Sequence, residues 1–280
     1  MKLGLTILLA LAFSATASAQ PLTQGQIKAI VAAPDRSDAD RTNDKRRHPE
    51  DILAFLAITP GITALDLSAG GGYTTELLAR SIGPTGKVYG QSRPRPATPA
   101  PRPTNPEGNA NPSATPAPAP PPAAAPPRPS PEALADRSSR LIANNVAAAP
   151  ITAVVQPFED PVPAELADGK LDLVTLMFNY HDLGFLQVDR AAMNKAVFKA
   201  LKPGGVYIIG DHSGRPGTGI SESGTLHRIE QAFLQKEVEA AGFKLAAEGN
   251  FLRNPNDPRD KNTPDPPMPK DEFFLKFVKP

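Results

Sequence analysis

The sequence predicts an α/β fold: a doubly wound, mostly parallel sheet of seven strands with an antiparallel closing strand. Three observations carry this. Strand-length apolar runs alternate with helix-length segments five times along the chain. The first run, Ile62–Leu67, contains Asp66 and ends in a turn of small residues, Ser68-Ala69-Gly70-Gly71-Gly72, that opens a helix at Tyr73-Thr74. The last two runs, Phe243–Ala247 and Phe273–Val278, are joined by a polar, proline-rich loop and read as a closing pair.

The ends and the composition set bounds. Residues 1–19 read as a secretory signal: Lys2, the apolar run Leu3–Phe13, and the small-residue cleavage site Ala17-Ser18-Ala19. The alternative is an uncleaved N-terminal anchor. The apolar run is too short for a stop-transfer helix, so no stable membrane span is expected after cleavage, and the expected location is the periplasm. Residues 20–280 then form one α/β domain. With no cysteine there is no lipid attachment point, disulfide or thiolate metal site. Lys+Arg is 30 against 29 Asp+Glu, and Lys2 leaves with the signal, so the mature charge is formally zero. A neutral chain with no tryptophan and no basic cluster argues against nucleic acid as a partner. The oligomeric state is not legible.

The elements follow in order. Leu22–Ala33 has helical apolar spacing, and Asp35–Arg47 reads as a charged, solvated connector. His48-Pro49-Glu50-Asp51 opens a helix that Pro60-Gly61 ends. After the first strand and the glycine turn, a helix runs to Ile82 and Gly83-Pro84 stops it; Lys87–Gln91 is the second strand. Residues 93–131 are a Pro/Ala-rich insertion expected to be disordered; Pro94–Pro131 holds sixteen of the 34 prolines. A helix restarts at Pro131-Glu132. Ile151–Phe158 and Leu171–Phe178 are strands, the second apolar on both faces. Asp189–Leu201 is a helix, Val206–Gly210 a strand, and Glu222–Ala241 a long helix stopped by Gly242.

The glycine turn decides between cofactor classes. Bare glycines let the main chain approach a ligand, and the following helix offers unpaired N–H groups. A dinucleotide fingerprint wants a third glycine where Thr75 stands, and an acid at the end of the second strand, where Gln91 stands. The acid comes before the turn, as Asp66. That order, with Leu176-Met177-Phe178-Asn179, Leu201-Lys202-Pro203-Gly204-Gly205-Val206 and the closing strand pair, resembles the class I S-adenosylmethionine-dependent methyltransferases and their Rossmann-like fold. More narrowly, Phe178-Asn179-Tyr180-His181-Asp182, Asp211-His212-Ser213 and Thr225-Leu226-His227-Arg228 resemble a bacterial family of exported predicted methyltransferases.

The resemblance implies S-adenosylmethionine as cofactor, methyl transfer as the reaction and a small molecule as acceptor. It places Ser68, Ala69, Gly70, Gly71, Gly72 and Tyr73 under the methionine moiety, with Asp66 orienting the turn or meeting the amino group. Gln91 takes the ribose position, Phe158 the adenine face and Glu159 its edge. Asn179 and Tyr180 border the transferred methyl. The class pattern has Gly at Ser68 and an acid at Gln91. Losing that carboxylate weakens the cofactor's hold by roughly tenfold unless another group compensates, because bonds to charged groups contribute more than neutral ones.

Four histidines are present. His181 and His212 fall at the ends of central strands, where the crevice should lie, and Asp211 stands beside His212. These three are the catalytic candidates, His181 first, because imidazole suits general acid–base work near neutral pH. They also suit an alternative role as hydrogen-bonded loop starts. His181, Asp182, Asp211, His212 and His227 could assemble a first-row metal site, but successive strand residues point to opposite faces unless the strand has ended, and no metal is assigned. Arg228 reads as a solvated helix residue or an anion clamp. Two other functions stay open: a non-catalytic exported binding protein, and a metal-dependent enzyme using the histidines.

Overall fold

The computed structural model describes residues 20–95, 128–262, 264 and 267–280. The expected signal and most of the expected insertion lie outside these residues. The seven strands are β1 (Thr63–Leu67), β2 (Lys87–Ser92), β3 (Ile151–Val155), β4 (Leu171–Met177), β5 (Leu201–His212), β6 (Lys244–Gly249) and β7 (Glu272–Val278). They form one sheet in the order β3-β2-β1-β4-β5-β7-β6. The first five are parallel to one another, and β7 runs antiparallel to both β5 and β6. The order reverses between β1 and β4, so a crevice is expected at their carboxyl ends.

Helices cover both faces because the central strands are apolar on both. On one face α1 (Gln24–Val31), α3 (Pro49–Leu56), α4 (Tyr73–Ile82) and α5 (Ser130–Ala143) bring Ile27, Leu53, Leu78 and Leu141 against Ala64, Val88 and Leu173. On the other, α7 (Arg190–Ala200) and α8 (Gln231–Glu239) bring Met193, Val197, Leu234 and Val238 against Leu65, Val174 and Tyr207. A one-turn helix, α6 (Asp182–Phe185), follows β4. Among the described residues no helix is long and apolar enough to cross a membrane.

Three expectations need correction. The charged stretch 35–47 is not a solvated connector: it contains α2 (Asp38–Arg47), capped by the Ser37 hydroxyl, with Asp38 and Asp40 in its first turn and Lys45, Arg46 and Arg47 in its last. That charge order suits the helix dipole, and Arg36 and Asp40 are buried. The long helix expected over Glu222–Ala241 shrinks to α8. Before it the chain turns, with His227 at φ +51°. Arg228 is wholly buried, paired to Asp257 at 2.8 and 3.1 Å and donating to the Ser213 and Lys261 carbonyls. It is neither solvated nor free to clamp an anion. Finally, α5 begins inside the stretch assigned to the insertion, because Pro131 fits a first helical turn.

Arg137 of α5 ties these layers together. Its guanidinium bonds Asp40 of α2 at 2.7 and 2.8 Å and Glu76 of α4 at 2.5 Å, and its Nε donates to the Gly71 carbonyl. Glu76 is also paired to Arg80, which reaches Asp35. Removing Arg137 leaves two buried carboxylates short of a partner. Arg137→Ala should lower the unfolding free energy by about 3–5 kcal/mol in urea denaturation; a loss below about 1 kcal/mol would mean that water already screens the cluster.

Candidate functional site

The turn after β1 is held from below and bare above. Ser68 sits at φ +56°, in the left-handed region that disfavours a side chain. Gln91 secures it: Oε1 accepts the Ser68 N–H at 3.1 Å, the Gln91 carbonyl accepts the Ala69 N–H at 2.8 Å, and Nε2 donates to the Gln156 carbonyl at 2.7 Å. Gln91 is fully buried. Both polar ends of its side chain serve the loop backbone, so it does not take the ribose position expected of it. A carboxylate there could not donate to Gln156.

Asp66 also points inward. It accepts hydroxyl bonds from Thr75 at 2.6 Å and Thr175 at 2.8 Å. Burial pushes its carboxyl up to about 6 against the pull of these bonds and of Arg47. Its carboxylate ties the start of α4 to β4, and no bond from it reaches residues 68–72.

The three glycines divide. A Cβ on Gly72 would lie 2.7 Å from the side chains of Leu134 and Arg137, so this glycine lets α5 approach α4. Gly70 and Gly71 are exposed, and a Cβ on Gly71 would meet nothing within 4 Å. Four of the turn's five carbonyls are engaged: Ala69 by the Gly72 N–H, Gly70 by the Ser130 hydroxyl, Gly71 by Arg137 and Gly72 by the Glu76 N–H. Among the described residues no acceptor pairs with the N–H of Gly70 or Gly71. With most acceptors spent and two donors spare, the open face of the turn favours an anionic group.

The last turn of α2 roofs this crevice. The Arg47 guanidinium lies between two rings, 5.4 Å from Tyr73 and 4.6 Å from Phe178. Tyr73 is fixed by its hydroxyl, which donates to Asp44 at 2.7 Å, and Asp44 is paired to buried Arg36. Among the described residues Arg47 has no ion pair or hydrogen bond. Burial, then the nearby charge of Arg46, disfavour its protonated form. Phe178 sits at φ +58°. Ser68, Phe178 and His227 thus all carry left-handed backbone near the strand mouths, as sites that position groups often do.

Beyond Phe178 the polar groups change character. The buried Asp211 carboxylate accepts the His181 Nδ1 proton at 2.6 Å and the backbone N–H groups of His181 and His212, both at 2.8 Å. His181 Nε2 lies 3.2 Å from Asp182, which also meets His227 Nδ1 at 3.0 Å and the Asn179 amide at 2.9 Å. Burial opposes charge on His181, but Asp211 and Asp182 outweigh it and push the imidazole up to about 10. His181 is therefore held as a cation between two carboxylates and is a poor general base, which displaces it as first catalytic candidate. His212 differs. Burial, with help from Lys270, holds it well below the ordinary imidazole range, so it is neutral. Its Nδ1 is 2.9 Å from Glu272 but misaligned for a hydrogen bond. Asp211 touches only these histidines and positions them.

His212 faces a cavity of about 990 Å³ at the mouths of β5 and β7. Arg46, Arg253, Lys270, Glu272 and Phe251 line it, among others. Burial pushes Glu272 up to about 7 and lowers Lys270 to about 8. The large cavity thus lies beside the histidines, while Arg47 and Phe178 stand between it and the glycine turn. The remaining expectations divide similarly. Phe158 is buried in the core with Leu166 and Val174, so no adenine can reach its face. Glu159 is exposed. Tyr180 is fully buried, its hydroxyl bonded to Glu237 and Asn194, and does not border a crevice. Asn179 does lie at the mouth of β4, where it supports Asp182. Arg47, Glu272 and Lys270 were not foreseen; the run Lys45-Arg46-Arg47 two residues before Pro49 was the available signal.

Asp66 gives a pH test. Its folded carboxyl binds the proton more tightly than an unfolded one, so its contribution lowers stability as pH rises from about 4 to about 6. Asp66→Asn should remove this fall: relative to the parent, the variant gains on the order of 2–3 kcal/mol between pH 4 and pH 7.5 in paired denaturation curves. An unchanged difference across that range would show that Asp66 is not buried as a strained carboxylate.

No family model and no curated protein matches the chain. Solved structures do. A SAM dependent methyltransferase from Aquifex aeolicus aligns at 14% identity over 92% of this chain and 100% of its own, with a TM-score of 0.51. The chain solved in complex with the Trm112 methyltransferase activator of Haloferax volcanii aligns at 17% identity over 92% and 97%, with a TM-score of 0.53. At such identities the likeness concerns architecture, and it agrees with the strand order and the single antiparallel strand: this chain has the class I S-adenosylmethionine-dependent methyltransferase fold.

Proposed function

We propose that the protein binds S-adenosylmethionine at the glycine turn and transfers its methyl group to a small molecule held in the adjoining cavity. One observation supports this most: the N–H groups of Gly70 and Gly71 are spare at the switch point, and the unpaired Arg47 guanidinium packs on Tyr73, two residues after Gly71. A carboxylate satisfies both, and the methionine end of the cofactor carries one. The sulfonium supplies the activated methyl. The protein's share is alignment and exclusion of water. Arg47, Tyr73 and Phe178 shield the crevice from above.

The acceptor side is built differently. Arg46, Lys270 and Arg253 against Glu272 make its lining cationic, which suits an anionic acceptor. Neutral His212 lines this cavity and can accept a hydrogen bond from an acceptor hydroxyl. A purely binding role for the same crevice is the second reading, favoured by the buried, charge-locked state of His181. It predicts cofactor binding without turnover.

S-adenosylhomocysteine should raise the melting temperature of the mature protein. Gly71→Arg should abolish that shift while leaving the unliganded protein folded, since the position faces open space. Arg47→Met keeps the stacking volume and removes the charge, and should weaken binding by roughly 10–100-fold, the worth of a charged hydrogen bond. No shift with either S-adenosylmethionine or S-adenosylhomocysteine would end this reading.

A further inference from the structure

We propose that His181, Asp182 and His227 bind one divalent transition-metal ion at the mouth of β4. The inference is independent of cofactor binding at the glycine turn. One ligand atom from each residue can be chosen so that all three lie within 4.8 Å of one another. Asp182 Oδ1 is 3.2 Å from His181 Nε2 and 3.0 Å from His227 Nδ1. Ligand atoms at about 2.0–2.1 Å from a common ion are spaced by roughly 2.9–3.4 Å, according to octahedral or tetrahedral geometry. Asp182 therefore already stands at coordination-sphere spacing from each imidazole, and the two imidazole nitrogens lie within 4.8 Å of each other. The His181 and His227 rings are set nearly perpendicular, at 88°, with centroids 5.6 Å apart.

The surroundings fix these donors as metal ligands are usually fixed. A ligating imidazole commonly gives its other N–H to a carboxylate. His181 does so, through Nδ1 to Asp211 at 2.6 Å, and its Nε2 is directed at Asp182, where an ion would displace its proton. The second carboxylate oxygen of Asp182 accepts from the Asn179 amide at 2.9 Å, while the first meets both imidazoles, the contacts an ion would replace. His227 adopts left-handed backbone, φ +51°, which histidine tolerates better than most residues, and its ring meets Asp182 from there.

Three protein ligands leave coordination positions open, the pattern of reactive rather than structural sites. Asp182 and His227 are about 30% and 29% exposed, so solvent or a substrate oxygen can reach the ion. The His181 ring is 5.4 Å from that of His212, which lines the large cavity. A ligand in that cavity would find the ion one imidazole away. Two imidazoles and a carboxylate suit Zn²⁺, Fe²⁺ or Mn²⁺ better than Mg²⁺ or Ca²⁺, which prefer all-oxygen sets.

The test uses the mature protein stripped with a chelator and titrated with Co²⁺ and Zn²⁺. Co²⁺ should bind one equivalent per chain with visible d–d absorption, and Zn²⁺ should displace it. Asp182→Asn and His227→Asn should each weaken binding by about 100-fold or more, and Asn179→Ala by about tenfold. Asparagine suits the left-handed position, so His227→Asn should fold; His48→Asn, at the exposed histidine, should change nothing. Circular dichroism of each metal-free variant separates lost binding from lost fold. Sub-stoichiometric Co²⁺ without d–d bands in the folded parent would overturn the proposal. So would parental affinity in Asp182→Asn and His227→Asn. Binding of S-adenosylhomocysteine is unaffected by either outcome.

Discussion

The guanidinium of Arg137 is the interaction on which the rest depends. It holds an acid of α2, an acid of α4 and a carbonyl of the glycine turn at once. Two consequences follow. The turn is fixed with its carbonyls inward, so its remaining amides face the crevice. And α2 is laid across the strand ends, so its last turn brings Arg47 over Tyr73 and Phe178. A helix this polar has no apolar stripe with which to dock. Buried ion pairs to Arg137, together with the Arg36–Asp44 pair, set its place. Such pairs contribute less to net stability than to geometry, because desolvation offsets much of their attraction. Their role here is to place a roof.

The site has two halves of opposite chemistry. The half at β1 is donor-rich and cationic: spare amides and an unpaired arginine. The half at β4 and β5 gathers carboxylates around imidazoles, with Asp211 as its anchor. Phe178 lies between them and touches both, under Arg46 and Arg47 and against His212. The proposed reaction would set the carboxylate-bearing cofactor on the first half and its acceptor on the second.

Much of the fold was legible because apolar periodicity and turn chemistry agree along the chain. Every strand was located, although β5 begins at Leu201 rather than Val206, and the glycine turn and the closing pair fell where expected. Misreadings occurred where polar residues do structural work. The segment 35–47 lacks an apolar stripe, and only its capping serine and charge order mark a helix. Arg228 looked like a surface residue because a bidentate partner 29 positions later is invisible in sequence. Gln91 looked like a ligand residue because its partners are backbone atoms. Strand alternation separates Asp211 from His212, of which only His212 reaches the cavity. His181 and Asp182 fall under its stated exception, because β4 ends at Met177 and both then converge from a helical turn.

The most direct measurement is a crystal structure of residues 20–280 grown with S-adenosylhomocysteine. The account predicts the ligand carboxylate on the Gly70 and Gly71 amides, with the Arg47 guanidinium drawn onto it and α2 otherwise in place. A ligand bound elsewhere, with Arg47 still stacked between Tyr73 and Phe178 and the turn bare, would contradict it.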